Sequence, residues 1–245
     1  MTRTLALLTA RQLLGRRRGL LLVLLALIPL LVALIYRLGS DHVDPTPLEF
    51  APDLLSALVL AAVLPLTALI FGTGALGAEI EDGTAVYLLT KPISRRRILL
   101  VKIAVASLAT IAVVLPATVL TSVTILAGDS HAITAAFALA VVVGAVVYCS
   151  VFVTLSVRTS RALLIGLAYV FVWEATVTSF FEGTRWVSVR EYMLGLADLV
   201  STAPRFALDA ELGGVAALVA AIVLTTLAVL TGIRLLERFE IGQRL

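Results

Sequence analysis

Of 245 residues, 60% are hydrophobic and only 14% charged, against roughly 45–50% and about 25% in an ordinary soluble domain. Polar residues are too few to cover a water-soluble globule, which excludes that class. The formal net charge of +3 does not mark a nucleic-acid-binding surface, because the basic residues fall in short clusters between uncharged apolar runs.

From the N-terminus, residues 2–15 combine Leu5, Leu7, Leu8, Leu13 and Leu14 with Arg3 and Arg11, a basic amphipathic stretch suited to an interfacial helix on the membrane. Arg16, Arg17 and Arg18 then precede the apolar run 20–36. This run exceeds the ~7–15 residues of a signal-peptide core, and Arg37-Leu38-Gly39-Ser40 is a poor cleavage site, so it reads as a retained first span. Further apolar runs follow at 54–78, 98–127, 132–157, 162–181 and 213–235. Each is long enough to cross about 30 Å of hydrocarbon at ~1.5 Å per residue, where only helices and closed barrels satisfy every backbone group. The expected architecture is an all-α membrane protein, one domain over residues 1–245 with six transmembrane helices. Pro29, Pro65 and Pro116 fall inside spans and should bend them. Gly128-Asp129-Ser130-His131 is the narrowest break and serves as a tight turn. Residues 182–212 are too mixed to span and too long for a turn. Trp186, Tyr192, Met193, Leu194 and Phe206 among Arg and Asp point to short helices resting on the outer membrane surface or dipping into it.

Basic loops resist translocation, so orientation follows from Arg and Lys. With the N-terminus inside, residues 1–19, 79–97 with Lys102, 158–161 and 234–245 hold 15 of the 19 basic residues. Only Arg37, Arg185, Arg190 and Arg205 face out, and both termini are cytoplasmic. The plasma (inner) membrane of a prokaryote is the expected location. The single Cys149 lies in an apolar run and forms no internal disulfide.

Motifs of catalysis are missing. Gly72-Thr73-Gly74-Ala75-Leu76-Gly77 matches G-x-G-x-x-G, but it ends an apolar helix instead of opening one after a strand, so its small residues serve close helix approach. There is no P-loop, and Lys91 and Lys102 are the only lysines. His42 and His131 are far apart in outer connections, and no nucleophile signature occurs, so no catalytic or metal-binding residue is nominated.

The informative connection runs from Ala78 to Arg97. It begins acidic with Glu79, Glu81 and Asp82, breaks at Gly83, carries an apolar-aromatic block around Tyr87-Leu88-Leu89, and stops at Pro92 with Ser94 placed to cap the next helix. That pattern describes a short helix parallel to the membrane. Its exposed block either docks a partner protein or rests among lipid headgroups. Residues 77–102 together, Gly-Ala-Glu-Ile-Glu-Asp-Gly-Thr-Ala-Val-Tyr-Leu-Leu-Thr-Lys-Pro-Ile-Ser-Arg-Arg-Arg-Ile-Leu-Leu-Val-Lys, resemble the connection between spans two and three of the type 2 ABC transporter permeases. The nearest branch contains nitrous-oxide-reductase maturation and sodium-export permeases. The span layout, N-terminal interfacial helix and long outer segment fit that family along the whole chain.

The resemblance implies a half-transporter in which two permease copies, identical or homologous, form the path. Two separate cytoplasmic ATPase subunits bind ATP and Mg, and this chain itself holds no cofactor and is no enzyme. The acidic-Gly-Thr region would be the coupling helix that docks on the ATPase, with Glu79, Glu81, Asp82, Gly83, Thr84 and Tyr87 as its contacts. Arg95 to Arg97 would anchor the third span at anionic headgroups or touch the ATPase. An export or flipping role follows from the family; the competing reading is an ATP-independent channel or membrane assembly factor. Within the bilayer, Glu174 is the only acidic residue, and it serves the path or pairs with Arg185 or Arg190 or the interface beside Trp173. Ser107, Thr110, Thr118 and Thr121 share one face of span three, where they line the path or hydrogen-bond helices together.

Overall fold

A computed structural model describes residues 8, 9, 13, 15–39, 45–81, 94–127, 130–177, 186–201 and 212–238, with side chains at all of them except 16–18, 78, 80, 81, 175 and 177. Every element among them is helical. In chain order these are α1 (Arg16–Gly39), α2 (Pro47–Leu54), a π-helical stretch Leu55–Val63, α3 (Leu64–Glu81), α4 (Arg95–Leu126) and α5 (His131–Arg158). There follow α6 (Ala162–Ala168), a second π-helical stretch Tyr169–Val177, α7 (Val189–Val200) and α8 (Gly214–Glu237).

Five of the helical runs, Gly19–Gly39, Pro47–Gly77, Arg95–Leu126, His131–Arg158 and Gly214–Glu237, are long and apolar enough to cross a membrane. The sixth expected segment, 162–181, is described only as far as Val177 and forms a shorter apolar helix. The interfacial helix expected over 2–15 falls mostly outside the described residues, although Thr9 and Leu13 within it are buried.

Local chemistry explains the ends and the irregularities. Thr46 and Glu49 form a capping box around Pro47, with the Thr46 amide donating to Glu49 Oε2 at 3.2 Å. The second run therefore starts seven residues earlier than its apolar stretch indicates. Pro65 carries no N–H, and its ring crowds the carbonyl four residues back. The chain approaches it in the wider i→i+5 register, where the Leu64 amide bonds the Val59 carbonyl, and reverts to α-helix at Leu64. Pro29 and Pro116 lie inside α1 and α4. Ser94 is the N-cap of α4, but its hydroxyl makes no cap bond; the Ser94 carbonyl accepts from the Arg97 amide at 2.9 Å instead. The turn after α4 is set by Ala127, left-handed at φ 50°, one residue before the expected Gly128.

The centre of the bundle is α5, which packs against α3, α4, α6, α7 and α8. Gly72 and Gly77 face it: a Cβ on Gly72 would stand 2.9 Å from Phe152 Cβ, and one on Gly77 would stand 3.2 Å from Ser156 Cβ. The glycine motif thus lets α3 and α5 approach, as expected of small residues in lipid. Where α1 ends, Tyr36 stacks on Phe50 with centroids 4.0 Å apart, and its hydroxyl donates to the Pro45 carbonyl at 2.6 Å. The peripheral helices α1 and α8 leave long apolar rows exposed, Leu21, Leu24, Ile28 and Ile35 on one and Val215, Val219, Ile222 and Val223 on the other. Such rows have hydrocarbon as their natural solvent.

Within the segment expected to hold short outer helices, α7 is amphipathic and enters the bundle. Val189, Tyr192, Met193, Leu196 and Ala197 are buried against α5 and α8. Its approach to the start of α8 depends on Gly195, where a Cβ would stand 2.5 Å from the Leu212 carbonyl oxygen and 2.8 Å from Ala217 Cβ. Because the first obstacle is backbone, Gly195→Val is expected to lower stability by about 1–3 kcal/mol, read as a drop in thermal unfolding midpoint of the detergent-purified protein. An unchanged midpoint would show that α7 is not held where it is described.

Candidate functional site

Glu174 sits in the second π-helical stretch and is 2% exposed. A carboxylate so placed needs donors for its oxygens. The Tyr148 hydroxyl, from the middle of α5, donates to Glu174 Oε2 at 2.7 Å. The Tyr169 hydroxyl, five residues earlier in the same stretch, donates to Oε1 at 2.8 Å. The third donor is the Val189 amide at 3.0 Å, and the Arg190 amide faces the same carboxylate. These are first-turn amides of α7, which have no partner within their own helix and lie at its positive end. Ser188 caps that turn, its hydroxyl accepting from the Glu191 amide at 3.4 Å.

The phenols are themselves fixed by packing. Phe152 lies parallel to Tyr148 at 5.9 Å between ring centroids and edge-on to Tyr169 at 6.4 Å. One turn on from Val189 in α7, the Tyr192 hydroxyl donates to the Trp186 carbonyl at 2.7 Å. The described bonds to Glu174 therefore come from two phenols and a helix N-terminus. Sequence reasoning nominated Glu174 but missed Tyr148, Tyr169 and the start of α7. The available signal was Tyr148, a phenol well inside the long span α5, whose hydroxyl needs a partner when buried.

The α4 hydroxyls lie inside the bundle. Ser107, Thr110, Thr118 and Thr121 are all buried. Thr110, Thr118 and Thr121 donate to the carbonyls of Ala106, Val114 and Ala117 at 2.9, 2.8 and 2.8 Å, each four residues back. Thr110 also touches Cys149 Sγ of α5 at 3.4 Å, and a neighbouring pair, Ser122 and Thr134, joins α4 to α5 at 2.7 Å.

At the opposite end of the bundle charges gather around the connection between α3 and α4. The Lys102 ammonium, whose side chain is fully covered, bonds Glu79 Oε1 at 2.6 Å, and the Glu79 side chain is 19% exposed. Arg95 donates to the Leu236 and Glu237 carbonyls, filling orphan acceptors at the C-terminal end of α8. Arg96 meets the Glu237 carboxylate at 3.1 Å. Two of the three arginines expected at lipid headgroups thus reach across to α8. The Glu81 side chain and Asp82, Gly83, Thr84 and Tyr87 lie outside the described residues.

The sequence model of the ABC-2 family transporter proteins matches residues 14–180. The chain belongs to the ABC-2 transporter permease family. The matched stretch runs from just before α1 past Glu174, taking in the acidic connection, and leaves α7 and α8 beyond it. No curated protein matches the permease. Membership makes it an integral membrane protein and a transport component of an ABC transporter, and its long apolar helices are membrane-spanning.

Proposed function

We propose that the permease forms a substrate path with a second permease copy and is driven by two cytoplasmic ATPase subunits, which bind ATP and Mg, in an exporter or flippase of the inner (plasma) membrane. In this reading residues 162–181 are the fifth of six spans, residues 2–15 an interfacial helix, and both termini cytoplasmic, which puts 15 of the 19 basic residues inside.

What supports coupling through the 82–93 connection is how its two ends are tied. Glu79, at the end of α3, is bonded to Lys102 of α4, and Arg95 and Arg96, at the start of α4, are bonded to the end of α8. A force on the segment between them reaches α3, α4 and α8 together. An ATPase moves the spans only if its nucleotide states bind that segment differently or carry it as a rigid body. Glu81, Asp82, Gly83, Thr84 and Tyr87 are the proposed docking residues, and Glu79 fixes where the docking element begins. Glu174, Ser107, Thr110, Thr118 and Thr121 are covered here, so they belong to the path only in a state in which helices part.

Reversing charge in E81K/D82K is expected to leave the subunit inserted and monodisperse while ATP-dependent transport by the reconstituted complex falls about tenfold or more, the effect of ~1.4 kcal/mol of lost docking energy. Unchanged transport and unchanged ATPase co-purification would remove this segment as the coupling element.

A further inference from the structure

At the basic end of the bundle α5 and α8 diverge to leave an open groove of about 680 Å³. Val151, Thr154, Leu155 and Arg158 line it from α5, and Leu224, Leu227, Ala228, Thr231, Arg234, Leu235 and Arg238 from α8. Each set follows three- and four-residue steps, so each is one face of its helix. Small residues set the floor. Thr154 donates to the Ala228 carbonyl at 2.8 Å, and a Cβ on Gly232 would stand 2.7 Å from Thr154 Oγ1.

The groove is graded along its length. Aliphatic side chains occupy the part nearest the middle of the bundle, and Arg158, Arg234 and Arg238 close the other end. Among the described residues no carboxylate pairs with Arg234 or Arg238; the nearby Glu237 is turned to Arg96. From Leu224 to Arg234 is ten residues, or ~15 Å along the axis, which is half of the roughly 30 Å hydrocarbon core. The hydroxyl hydrogens of Thr154 and Thr231 are already given to α8 carbonyls, so Arg234 and Arg238 are the donors the groove offers to an anion.

We propose that this groove is a binding site for an anionic phospholipid of the leaflet at the arginine end, with the phosphate held by Arg234 and Arg238 and one acyl chain lying along Val151, Leu224 and Leu227. Charge complementarity selects the headgroup, and the apolar length matches one leaflet. A soluble protein surface would meet the arginines but could not follow the groove a further ~15 Å into hydrocarbon. The site depends neither on transport direction nor on which side faces the cytoplasm.

The test uses the full-length permease in mild detergent, with any ATPase that co-purifies, titrated with dioleoyl-phosphatidylglycerol, dioleoyl-phosphatidylcholine or inorganic phosphate, bound species being read by native mass spectrometry. Phosphatidylglycerol is expected to bind roughly tenfold or more tightly than phosphatidylcholine, and R234Q/R238Q to erase the preference. Leu227→Trp, which keeps every arginine but fills the groove, should lower phosphatidylglycerol binding as well, and millimolar phosphate should not displace the lipid. All three substituted positions are exposed, so folding is not at stake. Equal binding of the two lipids, or phosphatidylglycerol retention unchanged in either variant, overturns the proposal. Displacement by inorganic phosphate would make it a soluble-anion site, and loss of the ATPase from R234Q/R238Q with lipid retention intact would make it a protein-docking surface; either also overturns it.

Discussion

Glu174→Ala is expected to destabilise the permease by about 3–5 kcal/mol, whereas Glu174→Gln costs about 1 kcal/mol or less. The alanine variant removes the acceptor for the buried Tyr148 phenol, the half-buried Tyr169 phenol and the first-turn amides of α7 at once. The Tyr148 hydroxyl, fully buried, cannot find another acceptor in water without opening the bundle. Glutamine keeps one carbonyl oxygen for the Val189 amide and Tyr169, and the Tyr148 hydroxyl rotates to accept from the new amide nitrogen. Thermal unfolding of the detergent-purified variants reads the difference, and hydrogen exchange locates it: in Glu174→Ala the α7 amides lose protection before those of α5. Equal midpoints for the two variants, or α7 protection unaffected in Glu174→Ala, would mean that the carboxylate does not hold α7.

That comparison also separates structure from transport. A glutamine variant that folds normally yet transports poorly would show that the charge itself is used. One that folds and transports normally confines Glu174 to anchoring α7 by hydrogen bonding.

The spans were legible because a run such as 132–157 or 213–235 has no polar backbone partner other than its own helix in hydrocarbon, and length alone then fixes the element. Their ends were less legible. Hydropathy cannot see that a polar box at Thr46 and Glu49 starts a helix before the apolar run, or that Pro65 imposes a π register ahead of it. The position of α7 was hidden for another reason. Composition shows an amphipathic segment, but how it packs into the bundle depends on Glu174, which lies outside it in sequence and supplies an anion for its N-terminus, and on Gly195 within it, which gives room for the start of α8. Arginine partners for Glu174 come to mind first because opposite charge is visible in a sequence, whereas the phenols and the helix N-terminus that bond it are not. The same blindness left Lys102 as one more cytoplasmic-side cation, although a lysine eight residues into an apolar helix requires a counter-charge close by.

The Glu79–Lys102 pair leads to the second large effect, and an asymmetric one. Lys102 is fully covered while Glu79 keeps 19% of its side chain exposed. Glu79→Leu therefore leaves a buried ammonium without its acceptor and is expected to cost about 3–5 kcal/mol, whereas Lys102→Met leaves a carboxylate that partly hydrates and costs about 1–2 kcal/mol. The double variant E79L/K102M should recover about half of the summed loss, since an apolar pair of similar volume replaces the ions, giving a coupling energy of about 2–3 kcal/mol in the cycle. Additive losses would show that the two side chains act independently. Transport then separates the tie from the dock. If Glu79 only fixes where the coupling element leaves α3, the double variant, once stable, regains ATP-dependent transport together with its fold. A double variant that is stable, inserted and still uncoupled would place the Glu79 carboxylate on the ATPase itself.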